Sequence, residues 1–382
     1  MQYATRPNAN SQTQSPDVPC SDRAIAYLRL KMARGVGPRT GHQLVSLFDS
    51  IDALWQALPE GLVQHSEISS KLIQSLGSVN QKTVEKVAST CRDSNIQLLC
   101  PEDELYPQNL LSCEDAPLLL FVRGDKSLLN NPRLLSIVGA RKATNEGKVI
   151  ARRWSKYCSD RGVSIVSGMA YGIDAAAHRG ALEGDTGTIA VLGCGLKAIT
   201  GETQKRQAEA VSEQGCVISE YLPDITARPE QFPQRNRIIA GLSQATLVVE
   251  AGLRSGSMIT AGQAAGYGRE VFSVPGSVLN DSHTGCHQLI RDGASLAGSA
   301  TELLQQLGWT QNKCGKPLAY SPCNTNEAKI MTALKLEMMH LDALSEACGL
   351  TVPQLSPSLL ALELQGVIER LPGSRYTLGG KN

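Results

Sequence analysis

The chain of 382 residues is longer than one ordinary domain, and its 42% apolar content is sufficient for a large core. Its 37 Lys and Arg residues almost balance its 36 Asp and Glu residues, so the net charge of +1 excludes a chain-wide field for nucleic acid or membrane, and any anion site must be local. The chain has eleven cysteines, no C-x-x-C pair and no secretory signal pattern, which favours free thiols in a reducing cytoplasm over disulfides or a zinc site. It has no apolar run long enough to span a bilayer, so membrane attachment is not predicted.

The first part of the chain divides into a tail and a helical domain. Residues 1–20 are polar and have no helical or strand period, which predicts a disordered tail. Over 21–105 we predict an all-α domain, because Ile25, Leu28 and Met32 recur at spacings of three and four.

A glycine-rich turn interrupts this helical pattern. Gly35-Val36-Gly37-Pro38 predicts a tight connection between two helices, and a further helical stretch is predicted over 68–91. The turn resembles that of a helix-hairpin-helix or SAM-like domain, whose backbone N–H groups can hold a DNA phosphate. An ordinary connection between two helices would need the same glycines, so the sequence does not decide between a DNA-binding turn and a purely structural one.

The segment 106–309 has a different sequence pattern, in which short apolar runs end at glycine and are followed by helical patterns. Continuous apolar runs indicate strands buried on both faces, and intervening helices imply right-handed crossovers. The predicted fold class is therefore α/β, with an extended Rossmann-like parallel sheet. The strand-forming runs are 134–139, 163–168, 188–193, 216–221, 245–251 and 271–276.

The last part of the chain predicts a separate small domain. A hydrophilic linker over 310–324 precedes helical patterns in 325–382, where Gly349 supplies a turn between two helices. Two strands joined by Pro372-Gly373 complete what we interpret as a winged helix.

The glycine loops that follow the strands are the candidate binding site. In an open parallel sheet the ligand lies beyond the carboxyl ends of the strands, where glycines let backbone N–H groups approach an anion. Several of these loops also carry cations or hydroxyl groups. The candidate residues for binding an anion such as a phosphate are Gly139, Arg141, Lys142, Ser167, Gly168, Lys197, Ser255 and Gly256.

The segment FPQRNRIIAGLS (232–243) adds further candidates. Arg235 and Arg237 diverge on a helix and, with Asn236, suit a row of phosphates better than a single one. For a nucleic-acid ligand, Phe232 and Tyr171, which lies on another loop, are the aromatic residues placed to stack against bases. The alternative is that both arginines pair with Glu220 or Glu250 and brace the fold.

These loops resemble the DprA/Smf family of DNA-processing proteins. The resemblance rests on SIVGARKAT, SGMAYGIDAAAH, FPQRNRIIAGLS, SGSMITAGQAAGYGREVFSVPG and HQLIRDGA, in that order. It implies binding and protection of incoming single-stranded DNA, loading of the RecA recombinase during natural transformation, no catalysis, no cofactor and no metal. The chain departs from the family after Lys197, where KAITGETQKRQAE replaces a Tyr-Pro-rich segment, and at Gly285-Cys286-His287.

The resemblance also implies self-association near the end of the sheet domain. HQLIRDGASL brings Leu289, Ile290 and Leu296 close together, and the corresponding family region is the surface for the homodimer and for RecA. These side chains could equally close the edge of the sheet.

A nucleotide-processing enzyme of the phosphoribohydrolase type is the rival hypothesis. A Rossmann-like site with Asp174, His178 and Glu250 could serve it, but the PGGxGTxxE signature of that group is absent, and no G-x-G-x-x-G follows the first strand. We interpret His178 as a residue of a helix face that supports its loop.

Overall fold

The computed structural model describes residues 20–58, 60–63, 68–309, 324–334, 338–364, 367–371 and 373–378. The predicted tail, apart from Cys20, and the predicted linker, apart from Asn324, lie outside the described residues. The chain forms two compact units, Met1–Leu304 and Gln305–Asn382.

The first unit begins with helices, as the apolar periodicity predicts. Four of them follow a Ser or Asn whose side chain accepts a backbone N–H from the first turn: Ser21, Ser50, Ser69 and Asn80. The helices are α1 (Asp22–Met32), α2 (Pro38–Leu47), α3 (Ile51–Gln56), α4 (Glu60–Val63), α5 (Ser70–Gly77) and α6 (Gln81–Asp93).

The predicted turn joins α1 to α2. Gly35 has a φ of +87°, a conformation that favours glycine. Pro38 occupies the first turn of α2, where backbone N–H groups make no hydrogen bond within the helix, so the N–H that proline lacks is not needed. The helical stretch predicted over 68–91 consists of two helices, because α5 ends before Ser78 and the Asn80 side chain caps α6.

A nine-stranded sheet forms the centre of this unit. Its order is β1-β2-β6-β5-β4-β3-β7-β8-β9. The strands are β1 (Gln97–Leu99), β2 (Leu120–Gly124), β3 (Leu134–Val138), β4 (Ser164–Ser167), β5 (Thr188–Leu192), β6 (Cys216–Ser219), β7 (Ala245–Val248), β8 (Glu270–Ser273) and β9 (Ser295–Leu296).

The α/β fold class predicted from the sequence is confirmed. Strands β3 to β9 pair in parallel, and the six predicted runs correspond to β3 through β8. The sheet also has an antiparallel extension that the sequence reading did not include, since β2 pairs with β6 and β1 pairs with β2. Because β1 precedes residue 105, the sheet begins inside the segment predicted as the all-α domain.

Apolar cores cover both faces of the sheet. Along β5, Ile189 and Val191 belong to one buried cluster, whereas Ala190 and Leu192 belong to another that includes Tyr27 and Leu28 of α1. The helical front therefore packs on one face. The remaining helices of the unit are α7 (Gln108–Leu111), α8 (Asn145–Ser159), α9 (Ile173–Leu182), α10 (Glu202–Gln214), α11 (Gln231–Leu242), α12 (Gly256–Gly266), α13 (Thr284–Arg291) and α14 (Ala300–Gln306), the last of which runs into the second unit.

The second unit is the predicted winged helix. Its antiparallel sheet has the order β10-β12-β11, and Gly349 ends α16 in the left-handed conformation with a φ of +62°. Its own core includes Ile330, Leu355 and Tyr376. The elements are α15 (Thr325–Leu334), β10 (Met339–His340), α16 (Leu341–Cys348), α17 (Val352–Leu364), β11 (Ile368–Leu371) and β12 (Arg375–Leu378).

Candidate nucleic-acid interface

A crevice opens between the carboxyl ends of β3 and β7. The chain leaves β3 for β4 on one side and later returns to β7 on the other, so this is the switch point of the sheet, where ligands bind in open α/β folds. A cavity of about 530 Å³ lies there. Its lining brings together these predicted residues: Gly139, Arg141, Phe232, Arg235, Asn236, Ser255 and Gly256. We call it the switch-point cavity.

The amino terminus of α12 forms one wall of this cavity. Ser255 caps the helix by accepting the N–H of Ser257, and Gly256 has no neighbour within contact distance of where a β-carbon would be. Asn236 donates from Nδ2 to the carbonyl of Gly256 at 3.3 Å. A helix of 11 residues directs its positive end and its free N–H groups here, which is an environment that favours an anion.

Arg141 is the exposed cation of the switch-point cavity. Its guanidinium lies 5.2 Å from the centre of the Phe232 ring, within the range of a cation–π contact. The ring is positioned by Gly193, since a β-carbon there would come within 3.0 Å of it. Arg141 can therefore present its charge to a ligand without giving up a salt bridge, because the structure records none for it among the described residues.

Arg235 has a different environment from the one predicted for it. Its side chain is only 3% exposed, and Nη1 donates to the carbonyls of Gly168, at 2.6 Å, and of Val191. Burial lowers the pKa of the guanidinium to about 10. The guanidinium thus holds the ends of β4 and β5 together from below the cavity, instead of extending toward a phosphate.

Asp174 is the buried acid beside Arg235. Its Oδ2 accepts the N–H groups of Gly168 and Ala170 at 3.2 and 3.3 Å. Burial raises the pKa of this carboxyl to about 6, although Arg235 and the two N–H groups act in the opposite direction. The carboxylate therefore organises the loop after β4.

Arg237 also braces the fold. It donates to a carboxylate oxygen of Glu220 at 2.5 Å and to the carbonyl of Asp115, and both side chains of the Arg237–Glu220 pair are buried. The bracing alternative named Glu220 as a partner, and for Arg237 that is the partner observed.

Glu250, the other proposed brace, serves a helix instead of an arginine. Its carboxylate accepts the N–H of Thr144 at 3.1 Å and the Thr144 hydroxyl at 2.6 Å, just before α8. The helix that follows the first parallel strand is where a Rossmann fold places a dinucleotide pyrophosphate. Here a carboxylate of the protein lies at that helix terminus.

His178 is sealed inside the fold. Its Nδ1 lies 2.8 Å from the Thr188 hydroxyl, and that hydroxyl donates its proton to the carbonyl of Ile165, so Nδ1 carries the hydrogen. Burial, reinforced by Arg235, lowers the pKa of the imidazole to about 3. His178 lies on the buried face of α9, in agreement with the sequence interpretation that placed it on a helix face.

The other predicted DNA-binding residues fall into two groups. Gly168 and the exposed Tyr171 line a second, smaller cavity next to Phe232. Lys142 is exposed after β3, whereas Ser167 is buried and donates to the Ile137 carbonyl at 2.6 Å. Lys197 pairs with Asp224 at 3.5 Å and contributes to neither cavity.

The predicted dimer and RecA residues differ in exposure. Leu289 is buried in the core, so it closes the sheet as the alternative suggested. Ile290 is half-buried, and Leu296 is 45% exposed on β9, which is an edge strand.

Several cavity residues were not predicted from the sequence. Ser257 and Thr260 follow the predicted Ser255-Gly256 pair on α12, and only the helical period could have indicated them. Ile199, Thr200 and Gln204 line the second cavity, in the segment where the chain departs from the family.

Two observations concern ions and membranes within the described residues. No group of three or more His, Cys, Asp and Glu side chains there could hold a metal ion. Likewise, no helix of the described ranges is long and apolar enough to cross a bilayer.

Comparisons with known proteins agree with this architecture. Residues 97–308 match the family DNA recombination-mediator protein A, starting where β1 starts, and residues 316–374 match the DprA winged helix domain. Protein Smf of Escherichia coli K12 is 36% identical over 326 residues, which cover 83% of this chain and 87% of that protein.

Solved structures of DNA processing protein A also resemble this chain. DNA processing protein A (DprA) from Streptococcus pneumoniae superposes with a TM-score of 0.65 at 30% identity, covering 74% of this chain and 97% of that one. DNA processing protein A from Helicobacter pylori, whose structure is described as revealing its single-stranded DNA binding mode, gives a TM-score of 0.51 at 29% identity, covering 56% of this chain and 97% of that one. From the match over the whole sheet, the winged helix and most of the Smf protein, the chain belongs to the DNA recombination-mediator protein A (DprA/Smf) family.

Proposed function

We propose that this protein binds single-stranded DNA along the carboxyl-terminal edge of its sheet. The observation that carries the proposal is the switch-point cavity, where the exposed Arg141 and the amino terminus of α12 line one space of about 530 Å³. The Helicobacter pylori relative, described as a single-stranded DNA-binding protein, supports the choice of ligand.

In the proposed complex the strand is held through its phosphates. Arg141 and Lys142 supply exposed charge, and the Ser255–Gly256 terminus supplies backbone N–H groups. Arg235 and Arg237 act indirectly, because their guanidinium groups are committed to protein carbonyls and to Glu220. Such contacts carry little sequence information, which suits a protein that protects any incoming strand.

Loading of RecA onto that strand in the cytoplasm, during natural transformation, is the biological part of the proposal. It rests on the family. We place self-association and RecA contact on Ile290 and Leu296 beside the edge strand β9, since Leu289 is buried. An unpaired strand edge with an exposed leucine is a surface that a second strand can extend.

The environment of the acidic residues and His178 argues against the phosphoribohydrolase alternative. A general base needs a free lone pair within reach of the substrate. Glu250 and His178 lie outside the lining of the cavity, and Asp174, which lines it, is buried beside the Arg235 guanidinium and holds two backbone N–H groups of its own loop. We therefore propose a binding protein without catalytic activity.

Salt-dependent binding of an oligonucleotide tests the site. Arg141→Ala should weaken binding of labelled oligo-dT and reduce the slope of log K against log salt by about 0.7, the value for one phosphate contact on a single strand. Arg153→Ala removes an exposed arginine of α8 and is the matched control. If the Arg141 variant binds with unchanged affinity and slope, the proposed site is wrong, and release of a free base from nucleoside monophosphates would favour the enzyme.

The dimer surface has its own test. Leu296→Glu should give a folded monomer in light scattering, while Leu296→Met retains the wild-type state. If the glutamate variant associates as the wild type does, β9 is not the surface.

A further inference from the structure

A cavity of about 670 Å³ lies between the helical front and the sheet, and the proposed function does not use it. The turn between α1 and α2 forms one wall, and α11 and α12 form the opposite one. We call it the α2 cavity. Its lining includes Lys31, Arg39, Tyr221, Pro233, Ile259 and Gln263.

The amino terminus of α2 opens into this cavity. Gly37 precedes the helix and offers no side chain to cap it, so the first-turn N–H groups of Arg39 and Thr40 have no side-chain partner. Nothing lies within 4 Å of where a β-carbon of Gly37 would be, so a ligand can approach this backbone closely. The uncapped end of a helix of ten residues is an environment that favours an anion.

Lys31 brings an independent positive charge to the same cavity. Its stem is partly exposed, whereas its ammonium is surrounded by protein, close enough to Glu220 and Arg237 for their charges to act on it. Burial lowers the pKa of this ammonium, and Glu220 acts in the opposite direction. Among the described residues, no hydrogen bond or salt bridge is recorded for Lys31. An anion in the cavity would compensate its charge for the lost hydration.

The acidic residues of the lining do not fill that role. Glu220 and Asp115 both pair with Arg237, at 2.5 and 3.8 Å. Arg39 pairs with Glu114, but both side chains are largely exposed, and such pairs contribute little. The charge that the protein leaves uncompensated in the α2 cavity is therefore positive.

The α2 cavity continues from the switch-point cavity. Pro233 lines both, and α11 and α12 each contribute residues to the two linings. On α12, Ser255 lies at the switch-point end and Gln263 at the α2 end, and the helix rises about 12 Å between them. A strand held at the switch point therefore has only a short distance to extend before it reaches the α2 cavity.

We infer that the α2 cavity holds a further phosphate of the bound single strand, which runs from the switch point between α11 and α12 to the turn between α1 and α2. This inference rests on the proposed function. Lys31 and the first-turn N–H groups of α2 bind the phosphate, and the strand passes over the exposed Ile259. The glycine-rich turn, whose role the sequence left undecided, thereby acts as a DNA contact of the helical front.

A series of oligo-dT ligands of increasing length separates the two phosphate sites. In the wild type, the slope of log K against log salt should increase until the strand is long enough to reach the α2 cavity. Lys31→Gln should lower this slope by about 0.7 for long oligomers, the value for one phosphate contact, and leave the slope for short oligomers unchanged. Lys82→Gln removes an exposed lysine of α6 in the same helical front and is the matched control.

A second variant covers failure of Lys31→Gln to fold. Ile259→Glu adds a negative charge at a position that is 44% exposed, and it should weaken binding of long oligomers about threefold while short oligomers bind as before. Leu47→Glu, at the opposite end of α2 and 38% exposed, is its control and should bind all lengths as the wild type does.

The inference is overturned if the folded Lys31 and Ile259 variants keep the wild-type slope and affinity at every length. It is also overturned if Lys31→Gln weakens binding of a duplex but not of a single strand, or if inorganic phosphate raises the melting temperature of the wild type, but not of Lys31→Gln, while both bind long oligomers equally. Failure of the proposed function looks different, because Arg141→Ala would then leave binding of short and long oligomers unchanged.

Discussion

Gly168 lies directly against the guanidinium of Arg235, so that a β-carbon at residue 168 would come within 2.6 Å of Arg235 Nη2 and 2.8 Å of Asp174 Oδ2. The glycine at the end of β4 therefore makes room for two buried, oppositely charged side chains. Gly193 does the same for the Phe232 ring. In both loops the glycine makes room for a neighbouring side chain, and that side chain shapes the cavity.

Gly168→Ala should therefore destabilise the protein by about 1–3 kcal/mol, because the extra methyl group must displace Arg235 or Asp174 from a tightly packed site. Urea unfolding measures this change. Gly262→Ala, in the interior of α12 with nothing within 4 Å of the new β-carbon, is the matched control and should be neutral or stabilising. Equal stability of the two variants would contradict the crowding seen at Gly168.

The Arg237–Glu220 pair gives a second prediction. Glu220→Gln removes the nearer countercharge of a buried guanidinium and leaves it only the longer pair with Asp115 at 3.8 Å, so we expect a loss of about 3 kcal/mol in the free energy of unfolding. Glu202→Gln removes the partner of Arg206 in an exposed pair and should change stability by less than about 0.5 kcal/mol.

The same variants distinguish the two roles considered for Arg237. If it braces the fold, Arg237→Met combined with Glu220→Leu should recover much of the stability lost in Glu220→Gln and retain DNA binding. If the double variant is stable but binds DNA with a reduced salt slope, Arg237 contacts phosphate directly.

The strands that the sequence predicted and those that it missed differ in their surroundings. Each of β3 to β7 is a buried run closed by a turn, and β8 is buried in its second half, and this local signal is independent of the partner strand. In contrast, β1 and β9 have only three and two residues, and their pairing with β2 and β8 depends on segments that are remote in sequence.

The candidate site could also be predicted only in part from the sequence. Strand ends predicted that Arg141, Ser255 and Gly256 lie together, and they line one cavity, because the carboxyl edge of a parallel sheet follows from strand direction alone. The direction of the Arg235 side chain depends on carbonyls of β4 and β5 that no spacing within FPQRNR encodes. The fold and the grouping of residues at the strand ends were therefore predictable, whereas the division between exposed and buried arginines was not.

The depressed pKa of His178 predicts that its contribution to the stability of the fold decreases as pH falls. Its folded-state pKa of about 3 lies below the ordinary value of 6.5, so its contribution to stability is present above pH 6.5 and is lost as pH falls toward 3, at about 1.4 kcal/mol per pH unit. Asp174, with its pKa raised to about 6, acts in the opposite sense between about pH 4 and 6.

His178→Leu keeps Asp174 and so isolates the histidine. Between pH 6.5 and pH 5 the free energy of unfolding of the His178→Leu variant should depend less steeply on pH than that of the wild type. The difference in slope should correspond to about one proton taken up on unfolding. NMR gives a direct measurement, since the His178 ring proton should not titrate between pH 7.5 and pH 5. A titration in that range would show that the ring is accessible to protons and would weaken the case against a catalytic role.

The winged helix carries the last prediction. In such domains the second helix of the pair ordinarily enters the major groove and is basic, because counterion release supplies much of the affinity for duplex DNA. The corresponding segment, 351–366, has no Lys or Arg and carries Glu363. On α17 the exposed positions are neutral: Pro353, Gln354, Ser356, Pro357 and Leu360.

The position of Pro357 adds to this argument. It lies inside α17, which begins at Val352, so the helix lacks one backbone donor there. The exposed Leu360 gives the same surface an apolar character, which suits protein contact better than a phosphate backbone. Arg375 on β12 is exposed and could make a minor contact with a duplex.

We therefore expect the winged helix to act mainly in protein contact or packing. Deleting residues 325–382 should leave affinity for single-stranded DNA within about threefold, well below the tenfold that about 1.4 kcal/mol represents. Fluorescence anisotropy at physiological salt measures this, with a labelled duplex of equal length as the second ligand. Leu360→Lys is the matched gain-of-charge variant and should raise duplex binding in the full chain. If the wild-type chain binds duplex tightly and loses that binding on deletion, the charge pattern of α17 has been misjudged and the wing is a genuine DNA contact.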